Sequence, residues 1–239
     1  MKGTSASAGI GIGKAAIVEE TELVIKKETI SDAAAEKERF QAALKQAMEE
    51  TEALAKDLAT RVGEKEAEIL NGHLMLLSDP MLTGEIENTI AGENACSEYA
   101  IENVCNMYAD MFASMGDELM QQRATDMRDI KTRMQKILLG VSSVDIASLP
   151  AGSVIVAKDL TPSMTAGINP ANVCGIVTEL GGKTSHSAIL ARALEIPAVV
   201  AVEGFLNSVK DGDTVVLDGS EGVVFVNPEE AVTAEYEAK

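Results

Sequence analysis

The chain has two histidines, His73 and His186, and only His186 has neighbours suited to chemistry. It lies in the stretch GGKTSHSAILAR, residues 181–192, between Ser185 and Ser187. Neutral histidine is a competent nucleophile, and its ordinary pKa keeps that form available near neutral pH. The glycines Gly181 and Gly182 let another molecule approach closely. Thr184, Ser185 and Ser187 add hydroxyl groups. A helix starting near Thr184 or Ser185 puts His186 in its first turn. Unpaired N–H groups and partial positive charge favour an anion there. The residues themselves leave two readings open, a helix-capping histidine and a histidine that carries a covalent group.

Other chemistries fit less well. A phosphate-binding P-loop ending at Gly182-Lys183-Thr184 needs glycine at 177, where the chain has Val177. The N-terminal GIGIGKA fails as well, because Lys14 stands where either glycine-rich motif needs glycine. Both stretches read as turn or strand glycines. The histidines are far apart and no HExxH or Cys/His cluster exists, so no metal site is expected. No GxSxG elbow accompanies the serines. His73 lies among apolar helical neighbours, with no base or nucleophile spaced near it, and reads as a structural or docking residue.

The elements that must position His186 come from the strand candidate at 173–178, the two glycines, and a helix over 185–194. Further strands are expected at 153–157, 198–202, 214–217 and 223–226, separated by turns at Asp211-Gly212-Asp213 and Asp218-Gly219-Ser220. Residues 31–140 contain one proline, Pro80, and read as helix. Ser31-Asp32 offers N-cap chemistry, and Phe40, Leu44, Ala47, Thr51, Leu54 and Leu58 make a near-heptad stripe. Further helices are expected over 64–77, from Pro80 through Ile90, over 97–120, and through Met127 to about Gly140. The fold class is mixed α/β (α+β): residues 1–30 plus 141–239 form a discontinuous α/β domain, and 31–140 an inserted bundle of helical hairpins. Hinges are expected near 26–31 and 140–150.

Composition narrows the partners. A formal net charge of −18 argues against nucleic acid or an anionic membrane. No apolar run approaches the length of a membrane span, and the N-terminus lacks a secretion signal. Cys96, Cys105 and Cys174 are odd in number and without CxxC spacing, which reads as reduced thiols in a cytoplasmic protein. Residues 62–122 hold twelve acidic side chains against one base, Lys65. That block is either a solvated helical face or a docking face for a basic partner.

The stretches LTPSMTAGI at 160–168 and ELGGKTSHSAILARALEIPAVV at 179–200 resemble the phosphohistidine signature of the phosphoenolpyruvate-utilising enzymes. The similarity is greatest to Enzyme I of the bacterial sugar phosphotransferase system. It continues through ASAGIGIGKA near the start, GHLMLLSDPML at 72–82, RATDMRDI at 123–130 and VNPEEAV near the end. The resemblance implies that His186 takes a phosphoryl group from phosphoenolpyruvate on Nε2 and passes it to a histidine of the small carrier HPr. It implies a hydrogen bond between Thr165 and the His186 ring, with Gly181, Gly182, Thr184, Ser185, Ser187 and Arg192 in support. It makes the helical insertion the HPr-docking subdomain. The contacts it suggests there are Glu64, Glu68, His73, Met75, Leu76, Leu82, Phe112, Met115, Met120, Arg123 and Arg128.

The family's full enzyme continues into a (β/α)8 barrel that binds phosphoenolpyruvate and magnesium and mediates dimerisation. The chain therefore reads as the N-terminal half. It is expected to need no cofactor, to stay near monomeric, and to exchange phosphate with phosphorylated HPr but not with phosphoenolpyruvate alone. The competing readings are a mobile phosphohistidine domain of a dikinase or synthase and a non-catalytic acidic docking module.

Overall fold

The computed structural model describes residues 1–239. In chain order, strands β1 (Thr4–Ser7) and β2 (Ile10–Val18) come first. Five helices follow: α1 (Ala33–Arg61), α2 (Glu64–Leu77), α3 (Pro80–Glu93), α4 (Ser97–Ser114) and α5 (Glu118–Leu139). The rest alternates β3 (Ser153–Ala157), α6 (Pro162–Ala166), β4 (Val173–Thr178), α7 (His186–Ala193) and β5 (Ala198–Val200). The chain closes with β6 (Thr214–Asp218), β7 (Val223–Val226) and α8 (Glu230–Glu237). The short helices α6 and α8 were not expected from periodicity, since five and eight residues show too little of a 3.6-residue repeat. The chain divides into two units, Met1–Glu20 with Val144–Lys239, and Thr21–Ser143.

The α/β unit is built on one seven-stranded sheet in the order β1-β5-β4-β3-β2-β6-β7. Strands β2, β3, β4 and β5 run parallel, and β1, β6 and β7 join antiparallel. Every residue of β3 is buried. That is the pattern of a parallel strand covered on both faces, and it explains the unbroken apolar run Val154–Ala157. One layer buries Ile155, Ile176, Ala188 and Ala191, the last two from α7. The other gathers Val154, Val177, Phe205 and Leu217.

The glycines of GIGIGKA serve the sheet. A side chain at Gly13 would fall on the Gly152 carbonyl oxygen and 2.6 Å from Cys174 Sγ, where β2 passes the start of β3 beside β4. Gly13→Val is expected to destabilise the α/β unit by about 2 kcal/mol through overpacking. Urea unfolding of the variant, followed by near-UV and far-UV dichroism, measures it; an unchanged midpoint removes this account of the motif.

The helical unit has a core of its own. Phe40 and Leu44 of α1 meet Leu77, Leu82, Ile86, Ile101, Met127 and Met134 from the other four helices. Asp32 caps α1 by accepting from Ala34 and Ala35 N–H, and Asp79 caps α3, with Pro80 opening its first turn. The helix expected over 97–120 is two. Gly116 at φ +77 breaks it, and Asp117 caps α5 by accepting from Met120 N at 2.9 Å. Gly116-Asp117 is itself a stop-and-start signal that the apolar spacing outweighed.

The domain boundaries also move. Residues 21–30 belong with the helices, because Ile30 N donates to Asn94 O at 2.9 Å and Cys96 N to Glu28 O at 3.0 Å. Lys27 pairs with Glu93 at 3.0 Å. The expected hinge at 26–31 is thus a bonded part of the helical unit, and the chain crosses between units at Glu20–Thr21 and Ser143–Val144. The second crossing lies inside the expected 140–150 segment.

Candidate functional site

His186 is the first residue of α7, at the edge of the sheet where β3, β4 and β5 all end. Ligands in open α/β sheets gather outside these carboxyl ends. The loop into α7 prolongs the β3–β4 pairing, with Glu179 N on Ala157 O at 3.2 Å and Leu180 N on Lys158 O at 2.9 Å. Thr178 Oγ1 donates to Leu180 O at 2.6 Å. Gly181 then turns the chain at φ +99, a left-handed conformation that favours glycine. A Cβ at Gly181 would also stand 3.4 Å from Ser185 Oγ.

Ser185 is the N-cap. Its Oγ accepts from Ala188 N at 3.4 Å and lies 3.2 Å from Ser187 Oγ, and its carbonyl accepts from Ile189 N at 3.0 Å. His186 is half-buried, Ser187 buried and Thr184 exposed. Gly182 O accepts from Ser185 N at 3.0 Å, closing the turn before the helix. Arg192, near the far end of α7, donates to Lys183 O at 3.0 Å and to Ala6 O at 2.7 Å. At the end of β3, burial pushes the Asp159 carboxyl above its ordinary value. These residues converge because a strand, a glycine turn and a serine cap follow one another in sequence.

Thr165 is brought to the same edge by α6, which packs against α7. It is fully buried, and its hydroxyl donates to Pro162 O at 2.9 Å within its own turn. With that proton on a main-chain carbonyl, Oγ1 retains only acceptor capacity, so it can receive a ring N–H but not donate to the ring. The resemblance implied a hydrogen bond between Thr165 and the His186 ring; in the structure the hydrogen bonds of Thr165 Oγ1 go to the Thr161 and Pro162 carbonyls of its own turn.

In the helical unit the suggested docking residues split by burial. Met75 and Met115 are 69% and 54% exposed, and Glu64, Glu68 and Arg128 are exposed. Phe112, Met120 and Arg123 are half-buried. His73, Leu76 and Leu82 are not surface residues, at 0%, 9% and 2% exposure. They point inward because α2 and α3 turn these positions toward the core shared with Ile86 and Met127, and His73 Nε2 meets Asp126 Oδ1 of α5 at 3.0 Å.

The sequence reading missed Met81, Met107, Met111 and Leu119, all at least 45% exposed. The four-residue steps Met107-Met111-Met115 were the available signal, lying beside the stripe of Val104, Tyr108 and Phe112. Nor is the acidic block all field. Glu98 is bound by Arg39, and Glu102 by Gln135 Nε2 at 2.6 Å and Lys131. Cys96 and Cys105 are buried and unbridged, and burial pushes the Cys105 thiol up to about 12. No helix is long and apolar enough to cross a membrane.

Residues 2–123 match the family described as PEP-utilising enzyme, N-terminal, and residues 149–222 match PEP-utilising enzyme, mobile domain. The chain is 41% identical over 239 residues to the phosphoenolpyruvate-protein phosphotransferase of Bacillus subtilis (strain 168), covering all of this chain and 42% of that protein. It is 39% identical over 239 residues to the protein of that name from Staphylococcus carnosus (strain TM300), again covering 42% of it. The chain thus spans about two-fifths of the length of these curated relatives. Among solved structures, it resembles the solution structure titled Enzyme I (nEIt) with a TM-score of 0.86 and 41% identity, covering 100% of this chain and 97% of that one. A second likeness, at TM-score 0.64 and 26% identity, is to the N-terminal domain of Enzyme 1 – Nitrogen, covering 99% of this chain and 98% of that one.

Proposed function

Because the chain belongs to the PEP-utilising enzyme family, we propose that it transfers phosphoryl groups through a phosphohistidine at His186, with the carrier protein HPr as its partner. The observation that carries this reading is the placement of His186. It stands half-buried at the N-terminus of α7, beyond the ends of the parallel strands, with a glycine turn in front of it. A neutral ring nitrogen attacks phosphorus as the donor's bond to phosphorus breaks. The phosphorylated ring then gives the group to a histidine of the acceptor and returns to its neutral form. Helix N–H groups and neighbouring hydroxyls stabilise the added charge. An acceptor role of Thr165 toward the remaining ring N–H would leave the other nitrogen as the nucleophile.

Phosphoenolpyruvate is the proposed original donor in the cell, in the cytoplasm, with magnesium needed for that half-reaction only. The helical unit is the proposed docking platform, using Glu64, Glu68, Met75, Met115 and Arg128 at its surface. The extension of family and structural likeness across this unit favours the reading over a dikinase mobile domain.

Incubation with phosphorylated HPr tests the proposal. Acid-labile phosphate is expected on the chain, and its absence overturns the reading. The docking face carries acidic and thioether side chains, so affinity for HPr is expected to fall several-fold between about 50 mM and about 500 mM salt. Titration calorimetry across that range measures it; a constant Kd removes the electrostatic part.

A further inference from the structure

The loop that presents His186 is held from an unexpected direction. Arg192 lies six residues beyond His186 and leans back along α7 toward its N-terminus, as helical side chains do. One guanidinium nitrogen donates to Lys183 O at 3.0 Å. The other donates to Ala6 O at 2.7 Å, across 186 residues of sequence. Ala6 is no ordinary strand residue. β1 pairs with β5 as Thr4–Val200, Ser5–Val199 and Ser7–Ala198, so Ala6 is the extra residue of a β-bulge. A bulge leaves its inserted residue outside the ladder and re-aims its polar groups. Ala6 is 5% exposed, and a buried carbonyl left without a donor is costly. Arg192 supplies that donor, and the same planar fork reaches the loop. A lysine ammonium is a point donor without that fixed fork.

We propose that Arg192 is a positioning residue for phosphoryl transfer through His186, tying residues 181–185 to the bulge of β1. The proposal rests on the transfer reading above. Arg192 does not touch the reacting atoms, because six helical positions set it about 120° around α7 from His186. It acts through the peptide between Lys183 and Thr184. In a trans peptide the C=O and the following N–H point in opposite directions. Holding Lys183 O on the guanidinium fixes the Thr184 N–H on the other side of the chain. It also sets the angle at which the chain enters α7, and so the place where the His186 ring meets donor and acceptor. The bulge gives the clamp a rigid anchor in the sheet.

Single-turnover labelling from phosphorylated HPr, over a range of donor concentrations, tests this on the chain as it stands. Arg192→Ala is expected to lose about 100-fold in rate at saturating donor, with the half-saturating concentration changed by less than about twofold. Arg192→Lys should fall between, and added methylguanidinium should restore part of the Arg192→Ala rate. A wild-type rate in Arg192→Ala overturns the assignment. So does a loss that tracks the unfolded fraction and is not relieved by guanidinium. A raised half-saturating concentration at unchanged maximal rate also overturns it, since that marks a carrier contact. If the wild-type chain takes no label, the transfer reading fails, and amide exchange at residues 182–187 decides the positioning alone. Arg192→Ala must then speed exchange there by about tenfold or more, and unchanged exchange overturns the proposal.

Discussion

His186→Ala is expected to take up no phosphate from phosphorylated HPr, while the wild-type chain becomes labelled. Loss should be complete, because the other histidine, His73, is fully buried and bonded to Asp126. The substitution should leave the fold intact. His186 is half-buried at the first position of α7, and the cap is made by Ser185. Stability should change by less than about 1 kcal/mol, as for a surface position away from the core. Binding to HPr should persist, since docking belongs in this proposal to the helical unit. The measurement pairs labelling with titration calorimetry and thermal melting. Equal labelling of His186→Ala and wild type places the phosphate elsewhere and sinks the assignment. Phosphate bound to a histidine nitrogen is lost in acid and survives base, so the stability of the label identifies the linkage independently of the variant.

The second large effect is on stability. Arg39 of α1 reaches Glu98 of α4 with two guanidinium nitrogens, Glu36 at 2.9 Å, and the Leu138 carbonyl of α5 at 3.0 Å. Glu36 in turn accepts from the Ser97 N–H and hydroxyl. One cation thus joins three helices around Glu98, which is 7% exposed. Arg39→Ala leaves that carboxylate buried without its partner. The expected loss is about 3 kcal/mol, the lower end for a broken buried pair because the guanidinium is partly in water.

Burial, the largest single influence, pushes the Glu98 carboxyl up, but the hydrogen bonds and charge of Arg39 together with further hydrogen bonds at the carboxylate outweigh it and hold the group below its ordinary value. A carboxylate with a depressed folded pKa contributes stability above its unfolded pKa and loses it as pH falls through the folded one. Urea midpoints measured from pH 7 downward should therefore fall more steeply for wild type than for Arg39→Ala. Parallel curves remove Glu98 as a source of the acid sensitivity.

Much of this was legible without coordinates. The motif GGKTSHSAILAR fixes a strand end, a glycine turn, a serine cap and a helix within a dozen residues, and those local rules place His186 at the start of α7. Strands β3, β4 and β7 and helix α2 begin and end where alternation, turns and caps put them. Even the failed P-loop was decidable from one residue, Val177, since backbone cradling of phosphate depends on glycine at fixed steps.

Other features had no local signature. Helix periodicity marks an apolar stripe, but not whether a position beside it faces core or solvent. Leu76 and Leu82, docking contacts by the resemblance alone, lie in the core, while Met81 and Met111 face solvent. Residues 21–30 read as part of the α/β unit because their bonds go to Asn94 and Cys96, far along the chain. The clamp of Arg192 joins Lys183 to a bulge at Ala6, and a bulge exists only once β1 has paired with β5. The sequence by itself determined where His186 stands, because a helix start is specified by its immediate neighbours. Only the tertiary structure decided which side chains face a partner and what holds the loop in place, because burial and long-range hydrogen bonds are properties of surfaces that meet after folding.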